Sequence, residues 1–176
     1  MFLRMDGRYR VFGLAALTFT ATCLAAMTLG VRVNTSYSLP MGLYIETTAP
    51  NAPFVEFCPE GRFSRESALR GYRTRGFACP DGAVPLLKPV VARQGDHVET
   101  SAAGILVNGA LLAKTAPLTK DAELRQLSPW PFGAYFVTPG TIWVASTYNR
   151  GSYDSRYLGP IATSQIRRKL RALCTF

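Results

Sequence analysis

The sequence predicts a mainly β domain carried behind one N-terminal apolar helix. Three observations lead there. A charge-free run of 20 residues, Val11–Gly30, follows a short basic stretch. From Gly42 onward, short apolar or alternating runs recur between turn residues, which is the pattern of strands. The length of 176 residues, with 48% apolar and 18% charged content, suits one folded domain and excludes a disordered chain.

The elements follow in order. Residues 1–10 form a tail with Arg4, Arg8 and Arg10 against one acid, Asp6. A helix over residues 11–30 would reach about 30 Å, the thickness of a bilayer's hydrocarbon core. The basic excess before it keeps the N-terminus in the cytoplasm and exports the rest. Leu24-Ala25-Ala26-Met27 also offers the small residues of a signal-peptide cleavage site, and a buried core helix would show the same apolarity. A signal peptide's apolar region usually spans roughly 7–15 residues, so the length favours an uncleaved anchor. The expected organisation is a cytoplasmic tail at 1–10, a single-pass membrane anchor at 11–30 and an exported domain at 31–176.

Strands are expected at Gly42–Glu46, Phe54–Cys58, Val84–Ala92, His97–Thr100, Ile105–Val107, Ala134–Thr138 and Thr141–Ser146. Asn108-Gly109 marks a hairpin, and Pro139-Gly140 marks another turn. A short helix is expected at Ser64–Gly71 and a last basic helix at Thr163–Leu173, capped by Thr163 or Ser164. The polar segment Thr115–Pro131 reads as a surface excursion. An exported compartment is oxidising, so Cys58 and Cys79 are expected to pair rather than remain buried thiols. The bridge would close a loop worth roughly 3 kcal/mol. Cys174 has no evident mate, and no His/Cys cluster has zinc spacing, so no metal and no cofactor are expected.

The net charge of +9 permits an anionic partner, but the basic residues are scattered and lie on the exported side, which argues against a nucleic-acid binder. The single histidine, His97, sits in a turn entering a strand and is a poor triad member. A Ser-Lys dyad is one alternative route to an activated nucleophile. It needs a lysine kept neutral by an apolar setting. Lys88 has that setting in Val84-Pro85-Leu86-Leu87-Lys88-Pro89-Val90-Val91, whereas Lys114, Lys120 and Lys169 lie in polar or basic stretches. Ser38, eight positions after Gly30, is the candidate nucleophile near the bilayer surface. The bland alternatives are a lysine snorkelling from a sheet edge and a polar linker leaving the membrane.

Three segments in order then resemble the type I signal peptidases, and within them the conjugal-transfer branch, the TraF-type peptidases. Asn34-Thr35-Ser36-Tyr37-Ser38-Leu39-Pro40-Met41-Gly42-Leu43-Tyr44 resembles the branch's nucleophile segment. Lys88-Pro89-Val90-Val91-Ala92-Arg93-Gln94-Gly95-Asp96-His97-Val98 is similar to the general-base segment, with Pro89 in place of the usual arginine. Asn149-Arg150-Gly151-Ser152-Tyr153-Asp154-Ser155-Arg156-Tyr157-Leu158-Gly159-Pro160 resembles the third signature, one residue short before Ser152.

The resemblance implies a signal-peptidase-like antiparallel β-sheet fold and a serine endopeptidase. In it Ser38 is the nucleophile and Lys88 the general base, with Asp154 as a further catalytic residue that either assists the dyad or pairs with Arg156. The Ser38 N–H and the Ser36 hydroxyl would form the oxyanion hole, and Ser152 would orient Lys88. Pro40, Met41, Gly42, Leu43 and Tyr44 would line a substrate cleft to which an extended peptide adds as a strand. The implied substrate is an exported precursor, above all a conjugative pilin subunit, released by hydrolysis or cyclised. Components of a conjugative type IV secretion system are implied partners. A general signal peptidase and a non-catalytic envelope component are the competing functions.

Overall fold

Residues 7–28 and 30–176 are described in the computed structural model. The first six residues of the expected cytoplasmic tail, with Arg4 and Asp6, lie outside them. The charge-free run folds as helix α1 (Gly7–Thr28). The side chains described along it are those of Val11–Thr22 and Thr28. Val11, Phe12, Leu14, Leu17 and Phe19 are all exposed. The hydroxyls of Thr18, Thr20 and Thr22 donate to carbonyls one turn back, at 2.8–3.0 Å, so the helix satisfies its own polar groups. Among the described residues no helix is long and apolar enough to cross a membrane.

Beyond α1 the chain is mainly antiparallel β, as its alternating runs dictate. One sheet has seven strands: β1 (Val31–Asn34), β2 (Gly42–Glu46), β3 (Phe54–Phe57), β4 (Leu86–Ala92), β9 (Thr141–Val144), β10 (Ile161–Ala162) and β11 (Ile166–Thr175), in the order β1-β2-β11-β3-β4-β9-β10. A smaller sheet holds β5 (His97–Ser101), β6 (Gly104–Val107), β7 (Ala110–Leu111) and β8 (Gly133–Phe136), in the order β7-β6-β5-β8. Asn108, at φ 50°, and Gly109, at φ 82°, make the expected hairpin turn between β6 and β7. The large sheet curls strongly. Arg32 on β1 comes within 4.0 Å of Glu56 on β3 although β2 and β11 lie between their strands.

The expected last helix is instead a strand. Thr163–Gln165 forms one 3-10 turn, and β11 then inserts between β2 and β3. Its Arg, Lys, Leu and Ala content favours a helix locally. Pairing on both sides, with Leu170 fully buried against Glu46 and Phe54 as neighbours, overrides that preference. Helix α2 (Gly61–Leu69) starts three residues earlier than expected. The 115–131 segment alternates between exposed and half-buried residues, and Thr115 is buried, accepting from the Ile105 N–H at 3.0 Å.

Two apolar clusters form most of the core. Val55, Phe57, Leu86, Val144 and Tyr157 pack between the large sheet and the helices. Ala92, Val98, Ile105, Val137 and Trp143 join the two sheets. The Cys58–Cys79 disulfide is formed, and beside it the buried Arg73 guanidinium pairs with Asp81. Among the described residues no group of ligands could hold a metal ion.

Candidate active site

Ser38 lies in the loop from β1 to β2. Asn34, the last residue of β1, shapes that loop. Its buried carboxamide accepts from Ser36 N–H at 3.1 Å and donates to the carbonyls of Ser36 and Pro40 at 3.1 and 3.0 Å. Leu39 anchors the loop in a third small core with Tyr44 and Leu170. Ser38 is itself buried, which puts its hydroxyl at the domain's interior.

Lys88 stands on β4 opposite Val55, on the core-facing side. Its Nζ donates to Ser38 Oγ at 2.6 Å and to Ser152 Oγ at 2.9 Å, while Ser38 Oγ donates to Ser152 Oγ at 3.2 Å. Burial drives the Lys88 amine from 10.5 down to about 8; the Asp154 carboxylate opposes this and the Arg156 guanidinium adds to it. A neutral amine at that distance can accept the hydroxyl proton of Ser38. The snorkelling reading of Lys88 does not hold, since only 4% of the residue is exposed.

Pro89 has a local reason. Its carbonyl accepts from the Ala145 N–H at 3.1 Å, so its missing N–H faces the same side. There β4 meets β9 only from Val90 onward, and the Leu86–Lys88 edge is left unpaired on that side.

The third segment is held by a buried ion pair. Arg156 Nε and Nη2 bond the two Asp154 oxygens at 2.8 Å each, and both side chains are at most 1% exposed. Arg156 also donates to the carbonyls of Arg150 at 2.6 Å and Ser152 at 2.9 Å, fixing the loop that presents Ser152. Asp154 additionally caps helix α3 (Ser155–Leu158) and accepts from the Ser146 N–H at 2.9 Å. Its oxygens are thus engaged by Arg156 and Ser146, while Lys88 is engaged by Ser38 and Ser152.

The structure brings together Ser38, Lys88 and Ser152, with the Asp154–Arg156 pair behind them. Ser36 lines the same cavity as Ser38 and Lys88; it is exposed and donates its hydroxyl to Asn34 Oδ1 at 2.8 Å. The expected cleft at Pro40–Tyr44 needs correction. β2 is paired on both sides, by β1 and β11, so no peptide can add to it. Tyr44 is fully buried, donating to Pro40 O at 2.8 Å. Gly42, at φ 148°, is there for close approach, because a Cβ would lie 2.2 Å from the Cys174 carbonyl oxygen. The open space lies elsewhere. A cavity of about 330 Å³ runs between Val33–Ser38 and Val84–Lys88. His97 stands in the small sheet beside Glu99 and Phe136, outside this site.

Asn34 and Ser146 were missed as site residues. Asn34 was visible only as part of a segment, and its polar character at the end of a β run was the signal. Ser146 is fully buried and donates to the Ser38 carbonyl at 2.6 Å; nothing local in the sequence marks it.

Residues 55–174 match the model of the signal peptidase family, peptidase S26, and the chain belongs to that family. Within it the chain is one of the TraF-type conjugal-transfer members. A plasmid transfer protein TraF of Escherichia coli is 35% identical over 99% of this chain and 98% of its own length. A second E. coli protein of that name is 36% identical over 94% of this chain and 93% of its own. The conjugal transfer protein TraF of Agrobacterium fabrum is 33% identical over 95% of each. A signal peptidase I of Enterococcus faecalis V583 aligns over 72% of this chain and 99% of that one, at 15% identity and a TM-score of 0.38.

Proposed function

We propose that this chain is a serine endopeptidase working through a Ser38–Lys88 dyad, and that it matures an exported pilin precursor for conjugation. The observation that carries the reading is a buried amine 2.6 Å from a buried hydroxyl, with its pKa driven to about 8. Neutral Lys88 takes the Ser38 proton as Oγ attacks the scissile carbonyl. Ser152 holds Nζ on that line. The Ser38 N–H and the Ser36 hydroxyl, swung from Asn34, receive the oxyanion; one such donor is typically worth roughly 3–4 kcal/mol. Lys88 then gives its proton to the leaving amine. Water resolves the acyl-enzyme to a cut product, or a chain's own amino group resolves it to a cyclic one.

The substrate runs extended through the cavity between β1 and the unpaired Leu86–Lys88 edge, where backbone pairing positions it. The charge-free Val11–Gly30 run, preceded by Arg8 and Arg10, is read as the single-pass inner-membrane anchor that holds this cavity at the periplasmic face. The conjugal assignment rests on the names of the relatives, and components of the conjugative secretion channel are the implied partners. Co-expression with a propilin tests the reading: Ser38→Ala and Lys88→Ala should each abolish processing at unchanged protein level. Full processing by Lys88→Ala removes the dyad. Equal processing of unrelated exported precursors by the wild type would instead make it a general signal peptidase.

A further inference from the structure

One buried hydroxyl has no part in the steps above. Ser146 follows β9 and is 0% exposed. Its Oγ donates to the Ser38 carbonyl at 2.6 Å and accepts from the Tyr148 and Asn149 N–H groups at 3.2 and 3.0 Å. Its own N–H donates to Asp154 Oδ2 at 2.9 Å. A continuous chain of bonds therefore runs from Arg156 through Asp154 and Ser146 to the main chain of Ser38. A serine hydroxyl has one proton to give. Here it is given across 108 positions of sequence to the nucleophile residue rather than to the turn that Ser146 itself begins.

Ser38 is thus held at two points. Lys88 and Ser152 hold its Oγ, and Ser146 holds its carbonyl. Ser146 and Ser152 belong to one loop, and Arg156 fixes that loop through the carbonyls of Asn149, Arg150 and Ser152. We propose that Ser146 is a positioning residue for the nucleophile, and that Asp154 acts on Ser38 through it by orientation rather than by exchanging a proton with Lys88. The inference rests on the dyad reading. Freed at its carbonyl, Ser38 can rotate about its own backbone, which moves both Oγ and the N–H that receives the oxyanion. Misplacement on that scale lowers turnover without loosening the substrate's extended pairing.

The full chain in detergent, cleaving a peptide with an Ala-x-Ala site, provides the test. Ser146→Ala should lower kcat by about 10- to 100-fold with KM within about threefold of wild type. The acid limb of its pH profile should stay in place, because Lys88 keeps its partners and its burial. In the Asp154→Ala background, adding Ser146→Ala should cost less than about threefold more, since the chain is already broken. A kcat within about twofold of wild type, a displaced acid limb in Ser146→Ala, or losses that multiply in the double variant would each overturn the proposal. Should Ser146→Ala not fold, Ser146→Cys, of similar size with a weaker donor, is judged by the same limits. Ser38→Ala is assayed in parallel: residual cleavage there sinks the dyad, whereas an inactive Ser38→Ala beside a wild-type-like Ser146→Ala sinks this inference alone.

Discussion

Replacing Lys88 by methionine should make the protein inactive and more stable. The folded chain holds this amine at about 8 against 10.5 when free. At about 1.4 kcal/mol per pH unit, that gap amounts to about 3 kcal/mol. The sign follows from which state releases its proton first. Below pH 8 the amine is charged in both states, and the folded state carries the full cost of holding a buried charge. As pH rises from 8 to 10.5 the folded state gives up its proton first, and the cost fades. Methionine has similar length and no charge. The two hydroxyls it strands, Ser38 and Ser152, already bond each other at 3.2 Å. Lys88→Met should therefore be about 2–3 kcal/mol more stable than wild type at pH 7, and nearly equal to it near pH 10.5. Urea unfolding of both proteins at the two pH values reads this directly, because every other titrating group cancels in the difference. A stability difference that is the same at both pH values would show that folding does not lower the amine's pKa.

Other predictions concern the same geometry. The kcat/KM profile should rise tenfold per pH unit up to about 8 and then level, with about a tenth of Lys88 neutral at pH 7; a limb near 10 would contradict the buried-amine account. Asp81→Ala should destabilise by about 3 kcal/mol in urea melts, since it strands the buried Arg73. Arg73 holds Asp81 down at about 2, so this contribution is present above pH 4 and lost as pH falls through 2; an Asp81→Ala melt matching wild type at pH 6 would refute it. Reducing Cys58–Cys79 should lower stability by roughly 3 kcal/mol, read as a urea midpoint shift with and without reductant. Gly42→Ala should cost about 1–3 kcal/mol by pushing the end of β11 away, and an unchanged thermal midpoint would show that the approach to Cys174 is looser than described.

How much of this was legible in the sequence depends on the range of the forces involved. The Gly42–Glu46 strand and the Asn108-Gly109 hairpin were readable because alternation and turn chemistry are local. The strand at Ile166–Thr175 was not, because its pairing with segments more than a hundred positions away decides its conformation. The Val31–Asn34 edge strand was not expected, and only its Asn34 end is buried. The proposed dyad drew on the apolar setting of Lys88 as well as on three motifs in order, and 50 positions separate its two members. Ser146 and the misjudged role of Tyr44 share one cause. Whether a hydroxyl is buried or exposed is settled by the curl of the sheet, which no single segment encodes.

That curl also explains the electrostatic division of labour. A buried amine beside a lone carboxylate would be held charged, and the proposed nucleophile would lose its base. Here the carboxylate of Asp154 is already paired with Arg156, and the two act on Lys88 with opposite sign. Burial is the largest cause of the lowered pKa, with Asp154 raising it and Arg156 lowering it. The same ion pair serves as a rigid brace for Ser146 and Ser152. It follows that Arg156→Met, which leaves Asp154 unpaired near the amine, should move the acid limb of the pH profile upward toward the free lysine value. A limb that stays in place would mean that the pair's charges do not reach Lys88 at all.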